Sequence, residues 1–123
     1  MKESNVNLRE RTKQFALRVI RLFSALPKTT TAQVLGKQLL RSGTSVGAQY
    51  REAGRSRSRG EFISKVESAL QELDESIYWM ELLVEAGIVA SDRLADLLTE
   101  ANELTAIFVA SAKTARKRLN AEG

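Results

Sequence analysis

Four stretches of this chain repeat apolar residues every three or four positions, and each stretch ends at a turn signal. That spacing is the mark of helices with one buried face, so the pattern points to a helical bundle. Leu8, Thr12, Phe15, Val19, Leu22 and Leu26 form the first stripe, widened by Ala16, Ile20 and Phe23. The only proline, Pro27, ends it, because the residue before a proline disfavours the helical conformation. Leu35, Leu39, Ser42, Val46, Tyr50 and Ala53 form the second stripe, after threonines able to cap free amides near Thr31. Phe62, Val66, Ala69, Leu73, Ile77 with Ser76, Met80 and Val84 form the third, and Gly87 closes it. The fourth, capped by Ser91, carries Leu94, Leu97, Ala101, Leu104, Phe108, Ala112, Ala115 and Leu119.

The expected fold is therefore all-α, an antiparallel up-down-up-down four-helix bundle. One domain over residues 1–123 is expected, with helices at about 8–26, 31–53, 60–86 and 91–120. Gly36, Gly43 and Gly47 sit inside the second helix and return to about the same side. Each costs roughly 1 kcal/mol against alanine, so close approach of another helix must offset them. That partner is either a neighbour in the same bundle or a second subunit. Gly54 suits a left-handed cap, and Ser58 followed by Glu61 reads as a capping box for the third helix.

Composition removes several kinds of chemistry. With no cysteine there is no disulfide framework and no thiolate nucleophile or ligand, and with no histidine the commonest general base is missing. No cofactor or metal is expected. Glu72 and Glu75 share a side of the third helix; a glutamate-based metal site there is the one route to an enzyme, and Arg or Lys partners from the first two helices are the simpler expectation. No Walker loop, dinucleotide fingerprint, nucleophile elbow or zinc spacing occurs. The apolar runs are too short for a membrane span, and the N-terminus lacks a signal-peptide core, so a cytoplasmic protein without a membrane partner is expected.

The net charge of +4 conceals segregation. Residues 1–60 carry 13 Lys/Arg against three Glu, residues 61–103 carry two against eleven acids, and residues 104–123 carry four against one. Either the basic and acidic helices attract one another, within the bundle or between subunits, or the basic segments form a surface for nucleic acid. Two clusters are candidates for phosphate contact: Arg51, Arg55, Arg57 and Arg59 around the turn, and Lys113, Arg116, Lys117 and Arg118 near the C-terminus. Each has a plainer reading, as a solvated loop and as charges that complement the helix dipole. No aromatic residue interleaves with the turn arginines, which weighs against stacking on single strands.

The run Leu40-Arg41-Ser42-Gly43-Thr44-Ser45-Val46-Gly47-Ala48-Gln49-Tyr50-Arg51-Glu52-Ala53 resembles a known family, as does 62–87, above all Ser76-Ile77-Tyr78-Trp79-Met80-Glu81-Leu82-Leu83. The family is that of the bacterial 23S rRNA intervening-sequence proteins. The resemblance implies an antiparallel four-helix bundle, often a homopentamer, with no established activity. Related accessory proteins of diversity-generating retroelements form pentameric barrels that bind a reverse transcriptase and nucleic acid. The family pattern usually has Asn where this chain has Gln49, an acid matching Glu52, and another matching Glu75. Together these readings predict a non-enzymatic homo-oligomeric adaptor that contacts RNA or a nucleic-acid-processing protein through the two basic clusters. The alternative is a self-assembling structural scaffold that binds another protein, with no nucleic-acid role.

Overall fold

The computed structural model describes residues 8–122, and these form four helices. Helix α1 spans Leu8–Ala25, α2 Thr30–Ala53, α3 Arg59–Glu85 and α4 Ser91–Glu122. The expected boundaries hold to within two residues. Consecutive helices pack side by side, and α1 also meets α4, which closes the bundle. The core is built from the expected stripes: Phe15, Val19, Leu39, Val46, Leu73, Met80, Leu104 and Phe108 are all fully enclosed.

Local chemistry sets the helix ends, with some departures from expectation. Thr29 caps α2 by accepting the Ala32 N–H at 3.3 Å. Ser58 caps α3 by accepting the Glu61 N–H at 3.0 Å, and the Glu61 carboxylate reaches back to the Arg57 N–H at 2.7 Å, one residue earlier than a capping box requires. Ser91 is the first residue of α4 rather than its cap. Gly54 is not left-handed: its φ is −65°, because its N–H, with those of Arg55 and Ser56, stays hydrogen-bonded to the last turn of α2. Among the described residues only Gly87 takes a positive φ, 76°, at the turn after α3.

The interior glycines of α2 all face α1. A Cβ on Gly43 would lie 2.8 Å from a Val19 methyl, one on Gly47 3.1 Å from the Thr12 hydroxyl, and one on Gly36 2.5 Å from Leu26. The close approach they permit is thus within the bundle. On a neighbouring face α2 meets α3 through a buried hydrogen bond between the Ser42 and Ser76 hydroxyls, 2.8 Å apart. That contact rotates α3 so that Ile63 and Leu83 are buried while Phe62, Ile77 and Val84 are only half-buried. Ile20, expected to widen the first stripe, is 41% exposed.

Candidate functional site

The turn between α2 and α3 is held firmly enough to aim its side chains. Three backbone N–H groups, from Gly54, Arg55 and Ser56, bond carbonyls of α2 at 3.0–3.1 Å, and the Glu61 carboxylate pins Arg57 from the other side. Arg59, the first residue of α3, then reaches Glu122 at the far end of the sequence. Its Nε and a terminal nitrogen donate to the two carboxylate oxygens at 3.2 and 2.5 Å. This fork-to-fork geometry fixes the guanidinium plane. It also raises the Arg59 pKa, and the hydrogen bond from Arg59, with the nearby charge of Arg118, holds the Glu122 carboxyl below its ordinary value.

Antiparallel packing of α3 on α4 brings the two basic clusters together. Arg57 and Arg59 from the turn, and Arg118 from α4, line one open groove of about 920 Å³. Its apolar lining comes from Phe62 on α3 and Ile107 on α4, and Ser111 and Thr114 add hydroxyls. The other candidates lie elsewhere. Arg51 and Arg55 are exposed but do not line the groove, and neither do Lys113, Arg116 and Lys117. Arg116 pairs instead with Glu67 of α3. Nor do these residues complement the end of the helix: α4 runs on to Glu122, and its last turn holds no basic residue.

Phe62, Ile107 and Glu122 escape a reading based on charge clusters. Phe62 belongs to an apolar stripe and reads as core, while Glu122 reads as an isolated terminal acid. A smaller cleft of about 230 Å³, at the other end of α4, is lined by Arg18, Arg21 and Arg93 with Leu22, Leu94 and Leu97. These arginines belong to neither predicted cluster.

Part of the charge segregation is resolved inside the bundle. Arg11 of α1 donates to Glu100 at 2.7 and 3.0 Å and to Glu103 at 3.0 Å, tying α1 to α4 and raising its own pKa. Arg41 of α2 spans Glu72 and Glu75 of α3, so these paired carboxylates take an arginine partner from the second helix. Lys65 holds Glu52 at 2.6 Å. The acids at the family-pattern positions 52 and 75 therefore both join α2 to α3, while the buried Oε1 of Gln49 has no hydrogen-bond partner. Among the described residues Arg57 and Arg118 form no ion pair, and no cluster of three metal-ligating side chains occurs. No described helix is long and apolar enough to cross a membrane. The groove thus combines three guanidinium groups, one of them engaged by Glu122, with an aromatic ring in its lining, an arrangement suited to holding phosphate and a flat apolar group together.

Comparison with known proteins adds the family. No curated protein matches the chain. A solved structure from Bacteroides thetaiotaomicron, described as a protein of unknown function from the S23 ribosomal protein family, superposes with a TM-score of 0.81. It is 33% identical, and the match covers 85% of this chain and 97% of that one. The family model for the 23S rRNA-intervening sequence protein matches residues 4–110, which takes in all of α1, α2 and α3 and most of α4. By that match the chain belongs to the 23S rRNA-intervening sequence protein family.

Proposed function

We propose that this protein is a non-enzymatic, homo-oligomeric adaptor that binds RNA phosphates through the groove between the α2–α3 turn and the C-terminal half of α4. The observation that carries the reading is the convergence of Arg57, Arg59 and Arg118 on one groove. A loop arginine that serves only solubility has no need of a partner from a distant helix. The family's connection with 23S rRNA supports RNA as the phosphate source, and the pentameric state implied by the resemblance would present several such grooves on one particle. The test is fluorescence anisotropy with a labelled RNA across a salt series, comparing the native protein with Arg57→Ala/Arg118→Ala. Binding should weaken with salt. The variant should bind less tightly, and its slope should be shallower by about 0.7 for each phosphate it no longer neutralises. No binding at low salt, or an unchanged slope in the variant, overturns the reading.

One observation favours the scaffold as a second reading. The outer face of α3 exposes Asp74, Glu81 and Glu85 around Tyr78, itself 53% exposed, whereas α2 exposes Lys37 and Arg51, and none of these five charges has an ion-pair partner among the described residues. Basic and acidic faces of neighbouring copies match in charge. Light scattering across a salt series tests it: an assembly held by those faces dissociates as salt rises.

A further inference from the structure

We infer that the groove takes single-stranded RNA, with one unstacked base seated against Phe62 and Ile107 while its flanking phosphates meet Arg57, Arg59 and Arg118. This rests on the RNA reading above and narrows it. Phosphate contact alone accounts for the arginines but not for the rest of the groove. A duplex presents a ridge of phosphates with its bases stacked inside, so it needs a flat charged surface and no apolar recess. Here the recess is about 920 Å³, near the upper end of the roughly 300–1,000 Å³ spanned by small-molecule pockets, and holds more than a phosphate group.

Its walls suit a base. Phe62 is half-buried and packs against the core, so the ring is held in place rather than left free in solvent. It stands in the first turn of α3, three residues after Arg59, and its N–H is anchored to the Ser58 carbonyl at 3.0 Å. Across the groove, Ile107 supplies an apolar wall, and the hydroxyls of Ser111 and Thr114 can pair with a base edge. An aromatic face flanked by guanidinium groups is how proteins hold unstacked bases with little sequence preference. An aromatic residue thus lines the same groove as Arg57 and Arg59, brought there by helix geometry rather than by alternation along the chain.

The experiment compares one RNA sequence as a labelled single strand and as a blunt duplex, each titrated by anisotropy with the native protein, Phe62→Ala, Phe62→Leu and Arg57→Ala/Arg118→Ala. The native protein should prefer the single strand by at least about tenfold. Phe62→Ala should weaken single-strand binding about five- to a hundredfold, the range expected for one stacked base, and leave duplex binding unchanged. Phe62→Leu keeps apolar bulk without a ring. It should lose most of the same preference while melting like the native protein, which separates stacking from folding. Equal binding of both forms, or equal losses on both when Phe62 is changed, overturns base seating. If the arginine variant still weakens binding in that case, phosphate contact by the groove stands without it. Failure of both RNAs to bind removes both readings.

Discussion

The Arg59–Glu122 pair sets a prediction with an unusual sign: removing a charge contact should improve binding. Three guanidinium groups line the groove, but the Glu122 carboxylate occupies the fork of one of them. A phosphate entering the native groove therefore meets a net charge near +2, and in Glu122→Gln it meets +3. For single strands the slope of log affinity against log salt is about −0.7 for each phosphate neutralised. A short oligonucleotide that fills one groove should show a slope of about −1.4 with the native protein and about −2.1 with the variant. Between 50 and 200 mM salt, affinity should thus fall by about sevenfold and about eighteenfold respectively. At low salt the variant should bind more tightly. Glutamine keeps the size of the side chain and its carbonyl, so the end of α4 is disturbed as little as possible. The pH dependence follows from the same pair. Arg59 holds the Glu122 carboxyl below its ordinary value, so the pair is intact above the ordinary carboxylate range and is lost only as pH falls through that lowered value. Native affinity should be flat between pH 8 and 6, with no rise from a freed Arg59. Anisotropy titrations at several salt concentrations and pH values give both results. An unchanged or shallower slope in Glu122→Gln, or weaker binding at low salt, would refute the claim that Glu122 competes with phosphate for this groove.

Other substitutions test the frame that holds the groove. Gly43→Ala puts a methyl group 2.8–3.0 Å from the methyls of fully buried Val19, whose branched Cβ leaves it little freedom. Overpacking of about 1–3 kcal/mol exceeds the helix gain of about 1 kcal/mol, so a urea melt should show a net loss of about 1 kcal/mol. Gly60→Ala meets only the Ser58 hydroxyl, at 4.0 Å, and should stabilise by about 0.5 kcal/mol in the same assay. Arg11→Ala leaves the Glu100 side chain, only 18% exposed, without its partner. It should cost about 1–3 kcal/mol, and Glu100→Ala in the same chain should recover part of the loss. Phe108→Ala empties a fully buried site whose ring lies 5.5 Å from that of Tyr50, and should cost about 3–5 kcal/mol in a denaturant titration.

The helices were legible because the period of the apolar residues is a local property. How each helix turns about its own axis was less so. In α3, apolar or small residues occupy two adjacent registers, 62, 66, 69, 73, 77, 80, 84 and 63, 66, 69, 73, 76, 80, 83, and periodicity does not choose between them. The choice is made by contact with α2, where Ser42 and Ser76 allow a close hydrogen-bonded crossing. A serine pair leaves no hydropathy signal. Ile20 and Gly54 fail for a related reason: a stripe says nothing about where its edge meets solvent, and a glycine takes a left-handed cap only where the backbone needs one. The site was half visible. Folding the chain back at the turn near 86–90 places residues around 59 opposite those around 120, so the meeting of the two basic clusters was within reach of simple counting. Which arginines face the same groove was not, because that depends on helix rotation.

The ion pairs bear on two readings that composition left open. Arg11, Arg41 and Arg116 pair with carboxylates of the acidic segment on other helices, so part of the segregation holds the bundle together. That leaves the basic charge without a carboxylate as the part that asks for a function. Arg57 and Arg118 belong to it, and they line the same groove as Phe62. A solvated arginine needs no apolar wall, and here the half-buried Phe62 and Ile107 keep part of their surface open to the groove. Low-dielectric walls also focus the field of the charges that flank them and strengthen their hold on an anion. The coincidence of charge without a carboxylate and half-buried apolar side chains in one groove, rather than the number of arginines, is therefore what the RNA proposal rests on.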